Sequence, residues 1–348
     1  MAEDTLKLTR HVGPNLPPKT DYRIGCIGAG FIMKDIHLVA YAEAGFDVVA
    51  IASRAPAHAR AAAEEHGIGT VYDTWRELLD DERIEIVDIA FPPDQQLEIV
   101  RETAKRPHVK GILAQKHVAF TLEEAVEMVR ICDEAGVKLG VNHNMRYDQS
   151  VRALKALLDE GRLGEVVAEI VMNARPHWQD FIKPYGRIAL LNMSIHHLDA
   201  FRYLFGDPER IVVSFRNDPS HDFPHEDGMA FYILEYADGL RASGVDNCFT
   251  WAGHRIEWRV EGMEGIAKGT IGWPDYPEGS PSTRRLDDPG HKRRVGEATL
   301  GGSLVPSGLQ GDHGPAYAGR TRRRRTGDIR SHDAPDHGFG RGRVSVWA

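Results

Sequence analysis

Apolar residues recur with two different periods along this chain, and the change of period divides it. Short apolar runs at Tyr22–Ile27, Phe46–Ala52, Ile84–Phe91, Gly111–Gln115 and Val137–Val141, with a shorter one at Val71-Tyr72, have the length of buried strands. Between them, Ile32–Ala44, Pro56–His66, Trp75–Leu79, Gln95–Lys105 and Leu122–Ala135 carry helical spacing. Strands alternating with helices pair in parallel through right-handed crossovers, which predicts a doubly wound parallel α/β domain over residues 22–142. The pattern then changes. Ser150–Asp159 has Val151, Leu154, Leu157 and Leu158 on one helical face, Gly164–Ala174 reads as a strand, and Ile188–Leu204 as an apolar helix. Ile211–Phe215, Met229–Tyr236, Arg241–Asn247 and Arg255–Glu261 follow as strands joined by short turns such as Asp238-Gly239 and Gly262. These predict an α+β domain over residues 143–285, with a largely antiparallel sheet open on one face.

Composition adds exclusions. The 348 residues are 42% hydrophobic, enough for two cores, and a net charge of −8 gives nucleic acid no footprint. No apolar stretch approaches a membrane span, and the leader, residues 1–21, has no secretory apolar segment. Three scattered cysteines, Cys26, Cys132 and Cys248, suit a reducing compartment, so a cytoplasmic protein is expected. Residues 286–348 differ from the rest: they hold 11 Lys and Arg against 7 Asp and Glu, and 12 of the 35 glycines, with neither period. They read as aberrant and disordered. Under plausible codons read one base later, Ala298–Arg320 and Asp328–Trp347 regain helical apolar spacing, so a frameshift near residues 284–297 is expected. A basic tail for an acidic partner, resting on Arg322–Arg325, is the alternative.

The candidate chemistry gathers at strand ends. Gly28-Ala29-Gly30, with Phe31 and Ile32 behind it, lies where the first strand gives way to a helix. Glycine there permits a tight turn and lets a diphosphate approach backbone N–H groups; an ordinary turn is the bland reading. Met33 stands near the usual third glycine. The second strand ends in Ser53-Arg54 without a carboxylate, which favours NADP slightly over NAD. Pro92 and Pro93 would line the nicotinamide side of the crevice, and Gln115-Lys116-His117 ends the fourth strand, where a lysine can polarise a substrate oxygen. On the helix of the second domain, Asn192, His196 and Asp199 share one face, and a neutral His196 would take an alcohol proton. His197, a quarter turn away, is more structural but is retained as a substrate contact. Asn144, Arg146, Trp178 and Tyr185 are further candidates for holding a polar substrate. No spacing fixes a third ligand beside His196 and Asp199, so no metal is expected.

The order of these motifs (IGCIGAGFI…H, FPPD, AQKH and LLNMSIHHLD before FRYLFG) resembles the glucose–fructose oxidoreductase/inositol dehydrogenase family, Gfo/Idh/MocA, from about residue 22 to 285. The resemblance implies a Rossmann domain joined to an α/β domain with a partly open sheet. It also implies an NAD(P)-dependent oxidoreductase of sugars, cyclitols or related polyols, assembled as a dimer or tetramer. The family's Glu-Lys-Pro falls on Gln115-Lys116-His117, and its Asp-x-x-x-His pair on Asn192 and His196. A histidine frequent after the Pro-Pro turn is Gln96 here. A cofactor-binding sensor without turnover and a redox-neutral, NAD-using glycoside hydrolase remain as alternatives.

Overall fold

The computed structural model describes residues 16–173, 180–219, 223–248, 255–271, 283–287 and 294–299. Its first half is a parallel sheet of β1 (Arg23–Ile27), β2 (Asp47–Ala52), β3 (Thr70–Tyr72), β4 (Ile86–Ile89), β5 (Gly111–Ala114) and β6 (Lys138–Val141). The strand order is β3-β2-β1-β4-β5-β6, so the order reverses beside β1 and opens a crevice there. The connecting helices are α1 (Leu38–Ala44, entered through π-helical turns Ile32–His37), α2 (Pro56–His66), α3 (Trp75–Leu79), α4 (Pro93–Thr103) and α5 (Leu122–Ala135). The strand residues are apolar on both faces because helices cover both. One core joins Ile27, Val87, Ile89, Ile99 and Met128, the other Ile24, Met33, Ile51, Ala59 and Ala62. The outer side of α5 leaves Leu122, Val126 and Val129 exposed.

The second half is an eight-stranded sheet ordered β14-β13-β12-β11-β7-β10-β9-β8. Its strands are β7 (Val166–Asn173), β8 (Arg210–Arg216), β9 (Met229–Glu235), β10 (Arg241–Asn247), β11 (Arg255–Gly262), β12 (Ile266–Ile271), β13 (Thr283–Asp287) and β14 (Arg294–Thr299). All pairs are antiparallel except β7 with β10, which run parallel in register Arg241↔Val167 to Asn247↔Asn173. Helices α6 (Gln149–Asp159) and α7 (Ile195–Phe205) cover one face, packing Leu154, Leu157 and Phe201 onto Ile170, Met172, Tyr232 and Trp258. The opposite face carries Val167, Val212, Phe231 and Ile233, each about half exposed. In register, Val212 faces Ile233 and Phe231 faces Val245, which faces Val171, so these side chains form one apolar band.

The expected disorder from residue 286 is corrected over its first part, because β13 and β14 continue the sheet to Thr299. Edge pairing needs only free backbone N–H and C=O groups on β12, which an Arg-rich segment without apolar period can meet. The remainder of the tail lies outside the described residues.

Candidate active site

Parallel strands bring the C-terminal ends of β1, β2, β4 and β5 to one edge of the first sheet. At β1 the chain turns through Gly28, whose φ of +109° suits glycine, and a Cβ added there would lie 2.5 Å from the Ala90 carbonyl oxygen. The Gly28 N–H donates to the Ala52 carbonyl at 2.8 Å and the Ala90 N–H to Ile27 at 2.8 Å, stitching β2, β1 and β4 together. A Cβ on Gly30 would meet nothing within 4 Å, so the backbone of the turn stands open. Phe31 and Ile32 flank it, exposed, at a helix start whose first N–H groups have no partner within the helix. These features fit a dinucleotide diphosphate. Met33 does not plug the turn: it is fully buried against Ala59, Ala62 and Ala63 of α2.

Ser53 and Arg54 follow β2 directly. The Ala55 N–H donates to Ser53 Oγ at 3.4 Å. The exposed Arg54 guanidinium lies 5.4 Å from the ring centre of Phe91, which follows β4. His37 Nδ1 lies 2.7 Å from Asp88 Oδ2, Tyr41 OH donates to the same oxygen at 2.7 Å, and Asn142 Nδ2 donates to His37 Nε2 at 2.8 Å. Asp88 is wholly buried in β4.

Lys116 leaves the end of β5, and its ammonium donates to Asn192 Oδ1 at 2.8 Å and to the Asn192 carbonyl at 2.9 Å. Buried Gln96 of α4 holds the segment around it. Its Nε2 donates to the carbonyls of Gln115 and His117, both at 3.1 Å, and its Oε1 accepts the Gln115 N–H at 2.8 Å. The Gln115 side chain in turn accepts the Lys116 N–H at 2.9 Å. Burial lowers the Lys116 ammonium to about 8. His117 is lowered to about 4, by burial first and by Lys116 second, and packs against Phe120 and Tyr185 with ring centres 5.4 Å and 5.5 Å away.

Asn192 lies in a π-helical turn, Leu190–Ser194, that runs into α7. Asp227 anchors that entry: its carboxylate accepts the N–H groups of Ile188, Ala189 and Leu190, the last at 2.7 Å. One turn on, His196 is buried, with its ring centre 6.4 Å from that of His143. Burial, then Lys116, His197 and His143, push His196 well below its usual value, so it is neutral at pH 7. Pro93 is buried at the start of α4 and Pro92 half-buried before it, both at the rim beside Phe91.

The structure brings Lys116, Asn192 and His196 together across the two halves, both of which fall within one compact unit. His197 requires correction as a substrate contact. It has no exposure, and its Nδ1 lies 2.7 Å from Asp246 Oδ1, because the quarter turn separating it from His196 aims it at β10. Arg146 is committed to Asp199, which it meets in a bidentate pair with Nε 2.7 Å from Oδ2. Half-buried Asn144 lies on the same short turn, Tyr185 packs against His117, and Trp178 lies outside the described residues. Sequence reasoning missed the roles of Gln96, Asp227 and the His37–Asp88 pair; only an aspartate inside a central apolar strand signalled the last. Among the described residues no group of three or more His, Cys, Asp or Glu could hold a metal ion.

Comparison with known proteins adds a lineage to this geometry. Residues 22–143 match the model of an oxidoreductase family with an NAD-binding Rossmann fold, and residues 151–268 match a GFO/IDH/MocA C-terminal domain. The 1,5-anhydro-D-fructose reductase of Ensifer adhaerens is 29% identical over 76% of this chain and 80% of its own length. The D-apiose dehydrogenase of Paraburkholderia graminis is 30% identical over 54% of this chain and 51% of its own. Among solved structures, levoglucosan dehydrogenase in complex with NADH and levoglucosan aligns at a TM-score of 0.68 and 23% identity, covering 85% of this chain and 84% of that one, a likeness of fold.

Proposed function

The chain belongs to the GFO/IDH/MocA family of NAD-binding oxidoreductases, and from that membership we propose a nicotinamide-dependent dehydrogenase of a sugar, cyclitol or related polyol. The observation that carries the reading is the Lys116–Asn192 contact, which joins the end of a Rossmann strand to the turn leading to His196. The names of the relatives, a reductase of an anhydrosugar and a dehydrogenase of apiose, support the substrate class. When bound, the cofactor supplies the hydride acceptor. The chain does the rest. Lys116 turns its remaining N–H toward the reacting oxygen, and Asn192, an amide that takes no proton, fixes the ammonium. His196, kept neutral by burial, receives the hydroxyl proton as the carbonyl forms.

The open turn at Gly28 and Gly30 would hold the diphosphate. Arg54, exposed where no carboxylate ends β2, would meet a 2′-phosphate, which favours NADP. The apolar band of the second sheet fits a homodimer, each copy covering the other. Among the described residues no helix is long and apolar enough to cross a membrane, and the three buried free cysteines suit a cytoplasmic setting.

The test is a panel of sugars and cyclitols with NAD and with NADP, read by the absorbance of reduced nicotinamide. Lys116→Ala and His196→Ala should each lower kcat about a hundredfold or more. Arg54→Ala should raise KM for NADP and leave NAD unchanged. Cofactor binding without reduction by any compound would instead favour a sensor.

A further inference from the structure

Among the described residues Lys116 is a cation without a counter-ion. It enters no ion pair among the described residues, and both its partners are neutral oxygens of Asn192. Its chain neighbour Gln115 is an amide as well. Among the described residues, the buried carboxylates of the surrounding elements are engaged elsewhere: Asp199 with Arg146, Asp246 with His197, Asp227 with three backbone N–H groups. Asp88 is bound to His37 and Tyr41. Buried ring nitrogens add no negative charge, and two of them, His196 Nδ1 and His143 Nδ1, have no hydrogen-bond partner among the described residues. A buried charge normally survives only when paired, and the oxidised form of the family's cofactor brings a second positive charge to the same crevice.

Resting on the dehydrogenase reading above, we infer that the substrate carries a carboxylate. It is a sugar acid of the uronate or aldonate class, whose anion supplies the counter-charge that Lys116 lacks. Neutral polyols would leave the ammonium unbalanced and bind weakly. The carboxylate is a spectator in the reaction. The C–H bond pair of a neighbouring carbinol leaves as hydride to the oxidised nicotinamide, the O–H proton passes to His196, and the carbon becomes a carbonyl.

The experiment titrates D-glucuronate, D-galacturonate and D-gluconate against D-glucose, D-galactose and myo-inositol by calorimetry. It uses the full chain with saturating NADP or NAD, and measures cofactor reduction in parallel. An acid should bind about a hundredfold more tightly than its neutral counterpart. Asn192→Asp puts a carboxylate beside the ammonium, and Lys116→Met removes the ammonium; both should abolish the preference. Neutral compounds bound and oxidised as well as the acids would overturn the inference and leave the dehydrogenase reading standing. So would an acid preference that both variants retain, or no binding of any acid. Acid binding that is lost in both variants, but with no reduced cofactor, would uphold the inference and refute the dehydrogenase reading.

Discussion

Burying a lysine with no acid partner among the described residues sacrifices stability to keep a reactive nitrogen dry. Since burial lowers the Lys116 ammonium from its ordinary 10.5 to about 8, the unfolded chain holds more protons than the folded one between those values. Stability is therefore least below about pH 8 and rises as pH climbs toward 10.5, which urea titrations across that window should register. Lys116→Met removes the charge and keeps much of the bulk; it should raise Tm, by about 1–2 kcal/mol of stability, while turnover disappears. Gln96→Ala should lower kcat about tenfold or more at little change in cofactor affinity, because it frees the backbone on both sides of Lys116. Lys116, His196 and the two glycines were legible in the sequence, since motif chemistry fixes residue type and spacing. Gln96 was visible only as a departure from a family pattern. Its work consists of bonds to carbonyls some twenty residues away, and no local spacing encodes those.

At the scale of elements, the start of α7 is held by a residue from just before β9. Asp227→Ala would strip the Ile188 and Leu190 N–H groups of their acceptor, while the Ala189 N–H keeps the residue's backbone carbonyl at 3.0 Å, and should cost about 1–3 kcal/mol by thermal denaturation. It should also raise KM and lower kcat, as Asn192 and His196 lose their shared footing. Continuous apolar runs made the parallel strands readable, and one-sided spacing made α6 and α7 readable. β12 to β14 were missed: the inward positions of β12 are the small Ala267 and Gly269 beside Ile271, and the sequences of β13 and β14 hold few apolar residues. The parallel pairing of β7 with β10 also escaped, because short turns between later strands describe sequential neighbours only.

For the whole molecule, the open sheet face and the tail give separate tests. If the proposed dimer forms through this face, Phe231→Glu with Ile233→Glu should convert it to a monomer in sedimentation velocity with little loss of Tm, as both side chains already face water in one copy. The coding sequence of residues 284–348, read one base later, should run without an early stop and encode the helical spacing that the present tail sequence lacks. The order of assembly follows from β7. Its partners are β10 on one edge and β11 on the other, so one edge stays open until synthesis has passed Asn247 and the other until it has passed Gly262. The half that grips the nucleotide is finished by Val141. A nascent chain can thus take up its coenzyme while the lobe that receives the second reactant is still unmade, and both reactant sites stand together only after Gly262 has been added.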